Sequence, residues 1–198
     1  MKRIVKIAVT GGIGSGKSLV LNYLGEMGYK VLSCDEITKK LYATHDVKGM
    51  IKNKFNGVVS GNKRLTIDKK KLATQVFSDP KKRRELEDII HPIVLKKALN
   101  SANKRGINFV EVPILFERDY QKHFDGVIVV LRAEQDRINS VMERSSLSAD
   151  EVKKRISSQI DYGSADLSEC YIIENNGGLD KVRQELLLII KKIEEKYL

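Results

Sequence analysis

An α/β fold built around a parallel sheet is predicted by three features of the sequence. Residues 3–10 are apolar and β-branched enough to form a buried strand. Gly11-Gly12-Ile13-Gly14-Ser15-Gly16-Lys17-Ser18 follows, and then Leu19, Val20, Tyr23, Leu24 and Met27 recur at helical spacing. Further strand-like runs at 29–32, 107–112, 125–131 and 171–174 alternate with helical stretches, as parallel α/β sheets require. The run 125–131 is almost continuously apolar, which suits a strand covered on both faces.

Strand, glycine-rich turn and helix form the setting in which Gly-x-x-x-x-Gly-Lys-Ser binds phosphate. Glycines let the backbone curl so that successive N–H groups point inward at an anion. A helix beginning near Lys17 adds the positive end of its dipole. Lys17 has the reach to serve β- and γ-phosphates, and the Ser18 hydroxyl suits a magnesium ion. An ordinary glycine-rich βα turn needs neither the lysine nor the serine. The expected fold is therefore P-loop nucleoside-triphosphate hydrolase-like: a five-stranded parallel sheet covered by helices, with a helical acceptor-binding insertion and a helical lid.

The chain has 198 residues, 41% of them hydrophobic and 31% charged, which fits one folded α/β domain with insertions. No apolar run approaches a membrane span, and Lys6 interrupts the only N-terminal run that resembles a signal peptide. Cys34 and Cys170 are too few and too far apart for a disulfide framework or zinc site. The expectation is a cytoplasmic protein with no membrane partner, as a monomer or small homo-oligomer. A net charge of +10 admits nucleic-acid binding. The lysines, however, are spread over several helices, aromatic content is 6% and tryptophan is absent. Solvated lysine-rich faces and a polyanionic small substrate fit better, and no nucleic acid is expected as main partner.

The second strand ends in Ser33-Cys34-Asp35, at the strand end where open parallel sheets bind ligands. Asp35 suits proton abstraction from a hydroxyl or a water-mediated hold on magnesium; equally, it suits capping of a helix over 36–42. Residues 36–106 are mostly helical. Val47, Ile51 and Phe55 share a face, as do Leu72, Val76 and Phe77, while Asp79-Pro80 starts a helix as N-cap and first residue. His91-Pro92 is expected to mark a helix boundary, and Gly106 to end the helix after it. The third strand closes on Pro113-Ile114-Leu115-Phe116-Glu117. Two charged helices at 134–144 and 148–159 carry Arg137, Arg144 and Arg155, after Arg132 at the end of a strand. With little apolar surface, this pair reads as a lid closing arginines over phosphate, or as a solvated hairpin. Asn175, after the last strand, suits an adenine edge or simply a turn. The helix over 179–197 aligns Val182, Leu186, Ile189, Ile190 and Ile193 in one stripe. The expected regions are a core of 1–35, 107–132 and 165–198, an acceptor region at 36–106 and a lid at 133–164.

Taken in order, these motifs resemble the dephospho-CoA kinases. The residues that carry the resemblance are Val9 to Ser18, Asp35-Glu36-Ile37, Phe55-Asn56-Gly57, Leu65 to Leu72, Val76-Phe77, Leu86-Glu87-x-x-Ile90-His91-Pro92 and Val112 to Glu117. The resemblance implies magnesium-dependent transfer of the γ-phosphoryl of ATP to the ribose 3′-hydroxyl of dephospho-CoA. It implies catalytic roles for Asp35, Lys17 and Arg144. ATP contacts would come from Gly12, Ile13, Gly14, Ser15, Gly16, Lys17, Ser18, Leu19 and Asn175. The acceptor would meet Thr10, Asp35, His91, Pro113, Leu115 and Glu117. Ser18 would ligate Mg2+, with Asp35 behind a water, and Gln159 matches a lid position. Three positions depart from the family pattern: Ser33 replaces the first Asp of Asp-Ala-Asp, Ser140 replaces an arginine, and Lys69 stands where arginine is common. Arg137, one turn before Ser140, shares its helix face.

Other readings are a nucleoside or nucleotide kinase, a GTP-dependent switch and a nucleic-acid-dependent ATPase. The switch would need an Asn-Lys-x-Asp base-reading motif, and the sequence has none. Only net charge suggests the ATPase.

Overall fold

The structure is a computed structural model that describes residues 3–62 and 64–198, with the side chain of Phe77 outside the description. The chain forms two compact units: Met1–Ser33 with Ala102–Leu198, and Cys34–Ser101. In chain order, the first stretch of the larger unit holds β1 (Ile4–Thr10), α1 (Lys17–Glu26) and β2 (Lys30–Ser33). The smaller unit holds α2 (Cys34–Leu41), α3 (His45–Lys54), β3 (Val59–Ser60), β4 (Thr66–Ile67), α4 (Lys69–Ser78) and α5 (Pro80–Ser101). The chain then returns with β5 (Gly106–Glu111), β6 (Gly126–Leu131), α6 (Glu134–Arg144), α7 (Ala149–Ser157), β7 (Tyr171–Glu174) and α8 (Leu179–Tyr197).

The larger unit is built on a five-stranded parallel sheet of order β2-β5-β1-β6-β7. Its central strands are buried on both faces, which explains the continuous apolar run of β6. Val5, Ile7, Val9, Phe109, Ile128 and Val130 have at most traces of exposed surface, and α1 and α8 contribute Val20, Leu24, Val182, Leu186 and Ile193 to the same core. Phe109 is fully buried and meets Tyr29 edge-on, with ring centroids 5.2 Å apart. Phe109→Ala is expected to cost about 3–5 kcal/mol of stability, read as a lower urea midpoint with unchanged slope. Asn108 is also fully buried, yet its amide donates to the carbonyls of Val5, Lys104 and Gly106, and its oxygen accepts from Lys104 N–H. It thereby satisfies the turn that feeds β5.

Several expectations need correction. The helix after β2 starts at Cys34, so Asp35 lies inside the first turn of α2 and does not cap it. His91-Pro92 marks no boundary, because α5 runs through Pro92 to Ser101. Pro92 removes one helical hydrogen bond, but Ile90, Val94, Leu95 and Ala98 are buried and α5 packs against α2 and α4, which outweighs that loss. Gly106 ends no helix; it opens β5 at φ 91°. The turns at Gly57 and Gly61 flank β3, whose antiparallel pairing with β4 the sequence pattern did not reveal. Finally, α6 and α7 do have apolar surface: Ile138, Val141 and Val152 form a buried cluster of their own. Among the features that match expectation, Asp79 accepts from the N–H of Lys81 at the start of α5, and Ser148 and Glu151 form the reciprocal capping box of α7.

Candidate active site

The glycine-rich loop leaves the end of β1 and enters α1 at Lys17. Gly16 is the N-cap of α1 with φ 101°, and a Cβ there would collide with the Asn175 amide. Gly14, at φ 78°, lies so near the backbone of Arg137 in α6 that a side chain has no room. Both positions therefore need glycine for two separate reasons. Lys17 Nζ donates to the carbonyls of Gly11 at 2.9 Å and Gly12 at 3.1 Å, which folds the ammonium over the loop's first half.

Residues after β6 hold the loop from the opposite side. The Ile13 N–H donates to Gln159 Oε1 at 2.7 Å, and the Ile13 carbonyl accepts from Arg137 Nε at 2.9 Å. Its side chain packs on the Ile138, Val141 and Val152 cluster. Asn175 Nδ2 donates to the Ser15 carbonyl at 2.9 Å, so in this structure the amide braces the loop. Its neighbour Asn176 accepts from the Ala133 N–H at 2.8 Å. Between these elements lies a cavity of about 360 Å³ whose lining includes Gly12, Ser15, Arg132, Arg137, Tyr162 and Asn176. Backbone amides and two guanidinium groups offer donors to an anion on the loop side of this cavity, while Glu134, Asp161 and Glu174 on the same lining carry the opposite charge.

The remaining predicted residues of this unit fall around the loop or beyond β5. Thr10 is fully buried, and its hydroxyl lies 3.3 Å from that of Tyr162, whose phenol is held above its usual pKa by burial. Ser18 is exposed in the first turn of α1 and Leu19 is half-buried behind it. Pro113 is half-buried, whereas Leu115 has no exposed surface, so its side chain packs inside rather than lining open space. Glu117 accepts from the Ile160 N–H at 3.2 Å, tying the segment after β5 to the one after α7. Arg144 is exposed in the last turn of α6.

In the smaller unit, Asp35 is exposed on α2 and His91 half-buried on α5, two helices that pack together. That unit also contains a cavity of about 550 Å³, with Tyr42, Leu72 and Val76 among its walls and Lys39, Lys48 and Lys69 on its lining. Apolar walls with several ammonium groups suit a long, partly apolar molecule that carries phosphates.

Among the described residues no group of three or more His, Cys, Asp or Glu side chains gathers as a metal site. The donors that are present still fit magnesium, which keeps most of its shell as water and phosphate oxygen. The Ser18 hydroxyl is exposed at the loop, and Glu111, only 9% exposed, ends the strand beside β1 with Val9 as its register partner. Glu111 Oε2 accepts from Ser33 Oγ at 2.6 Å, so the serine at the departed position orients a carboxylate.

A protein-family model of dephospho-CoA kinase matches residues 5–181. The chain belongs to the dephospho-CoA kinase family. Members of this family are kinases that transfer phosphate to an alcohol group. The chain is 33% identical to the dephospho-CoA kinase of Fusobacterium nucleatum over 193 residues, covering 96% of each chain. It is 30% identical to that of Thermus thermophilus over 194 residues, covering 97% of this chain and 93% of the relative. Among solved structures, TT1252 from Thermus thermophilus superposes with a TM-score of 0.79 at 31% identity, covering 96% of this chain and 98% of that one. Shikimate kinase from Acinetobacter baumannii, at 13% identity and TM-score 0.57, covers all of this chain and 97% of that one, and shares the fold alone. The family match covers both units, and no described helix is long and apolar enough to cross a membrane.

Sequence reasoning did not single out Tyr162, Asn176 or Glu111. Glu111 carried a readable signal, a lone acid ending an apolar strand next to the loop strand. Tyr162 and Asn176 lie in irregular segments where periodicity says nothing.

Proposed function

We propose that the chain transfers the γ-phosphoryl of ATP to the ribose 3′-hydroxyl of dephospho-CoA, giving coenzyme A and ADP, the last step of coenzyme A synthesis. The observation that carries this reading is the family match across residues 5–181, which includes the helical unit as well as the phosphate loop. In this reading Gly12 to Leu19 hold the triphosphate through backbone N–H groups, and Lys17 moves from the Gly11 and Gly12 carbonyls to β- and γ-oxygens. Asn175 keeps the loop in shape beneath the nucleotide. Residues 133–164 serve as the lid, with Arg144 and Gln159 facing the nucleotide, and 36–106 take the acceptor.

Asp35 accepts the proton of the 3′-hydroxyl. The freed oxygen forms a bond to the γ-phosphorus as the bond from that phosphorus to the bridging oxygen breaks, and ADP leaves with that electron pair. Asp35 then returns its proton to water. Thr10, His91, Pro113 and Glu117 position the acceptor. Leu115, buried in this structure, would do so by supporting that segment from within. Ser18, with Asp35 or Glu111 behind water, would hold Mg2+, which would supply neutralisation of phosphate charge. The cavity of the helical unit suits the rest of the acceptor, apolar walls for its pantetheine arm and lysines for its phosphates. The reaction places the enzyme in the cytoplasm, where ATP and the acceptor occur together.

Product analysis tests the proposal. Incubation with ATP, Mg2+ and dephospho-CoA is expected to give one new phosphomonoester with the mass and retention of coenzyme A. A product phosphorylated elsewhere, or none, would refute it.

A further inference from the structure

The cavity above the phosphate loop is lined by the guanidinium groups of Arg132 and Arg137 and by the carboxylates of Glu134, Asp161 and Glu174, and it is the two arginines that border the loop's Gly12 and Ser15 in buried, donor-rich surroundings. Arg137 is half-buried on α6, and burial pulls its pKa below the ordinary guanidinium value. Its Nε is spent on the Ile13 carbonyl, while the rest of the guanidinium lies against Gly12, where a Cβ would run into Nη2 and Cζ. Glu134, one turn earlier on α6, lends it counter-charge without a described hydrogen bond to it, and the guanidinium lines the cavity. A partly desolvated guanidinium whose fork is not filled by a hydrogen-bonded carboxylate still has donors to offer an oxyanion, which suits the site to a phosphate. Arg132 lines the same cavity. Its Nη1 donates to Ser140 Oγ at 2.6 Å, and its buried Nε has no hydrogen-bond partner. Ser15 Oγ, in the loop itself, is likewise buried without a partner.

The position of Arg137 along the loop identifies the phosphate. Lys17, the residue that serves β- and γ-oxygens in such loops, rests on Gly11 and Gly12, and Arg137 covers Gly12 and Ile13. The Arg137 backbone also touches Gly14, which fixes the root of the side chain above the loop. We propose that Arg137 is the guanidinium that grips the terminal phosphate of the bound triphosphate, with Arg132, oriented by Ser140, beside it. This rests on the triphosphate-binding part of the function proposed above, and is independent of the acceptor's identity.

The test is calorimetric binding of ADP and of a β,γ-imido ATP analogue, with Mg2+, to the wild type, Arg137→Ala and Arg137→Lys. The wild type prefers the triphosphate analogue. Arg137→Ala weakens that analogue by about tenfold or more, changes ADP affinity by less than about twofold, and lowers kcat by about 10²–10³-fold. Arg137→Lys keeps the charge but loses the planar fork and the Ile13 bond, so it falls between. If the alanine variant does not fold, the lysine variant carries the same reading, a reduced preference for the triphosphate. Equal weakening of both nucleotides with a lower melting temperature would make Arg137 a loop brace only and overturn the proposal. So would a wild type without preference for the analogue, or variants that retain it. A wild type inert toward dephospho-CoA whose triphosphate preference still depends on Arg137 would refute the acceptor assignment and leave this inference standing.

Discussion

Asp35→Asn is expected to lower kcat by about 10²–10⁴-fold while leaving ATP affinity within about twofold of wild type. Asparagine keeps the size and polarity of the side chain but accepts no proton at neutral pH. Because Asp35 is exposed in the first turn of α2, its replacement removes no buried contact, and the variant should melt as the wild type does. The split between kcat and ATP affinity is therefore informative. A parallel loss of turnover and ATP binding would assign Asp35 to the metal site instead. Stopped turnover with a lowered melting temperature would assign it to folding. Steady-state rates over ATP and acceptor concentrations, with a separate nucleotide-binding titration, distinguish these outcomes.

Lys17→Ala is expected to damage both terms: kcat falls by about 10²–10³-fold, and ATP binds at least about tenfold more weakly. On the proposed mechanism the ammonium is the charge that follows the γ-phosphoryl through transfer, so its loss is expected to be felt most in the transition state. The alanine variant also loses the bonds to the Gly11 and Gly12 carbonyls, so its effect includes loop geometry as well as charge. Lys17→Arg separates the two, because arginine keeps the charge with a bulkier head. Calorimetric titration of ATP into both variants provides the check.

Much of the fold was legible because strong local signals coincide with its elements. The phosphate loop, the capping box at Ser148, the apolar run of β6 and the stripe on α8 each combine pattern with punctuation. Failures came where tertiary contacts override a local rule. Pro92 looks like a helix stop until the burial of Ile90, Val94 and Leu95 is weighed against one lost hydrogen bond. A charged hairpin looks solvated until Ile138, Val141 and Val152 are seen to close on one another and on Ile13. The site divides in the same way. Residues of the loop are readable from their spacing alone. Asn175 reaching back to Ser15, and Arg132 reaching across to Ser140, depend on which side chains meet after folding. Ser33 likewise meets Glu111 only because β2 pairs with β5 in the folded sheet.

The central claim is that one phosphate loop and one helical unit together select dephospho-CoA as acceptor. Initial rates of ADP release at fixed ATP and Mg2+, with dephospho-CoA, AMP or adenosine as acceptor, test it most directly. The account predicts release that depends on acceptor, with kcat/KM for dephospho-CoA exceeding that for either smaller acceptor by about 10²-fold or more. A higher kcat/KM for AMP or adenosine, or ADP release that dephospho-CoA leaves at background, would contradict it.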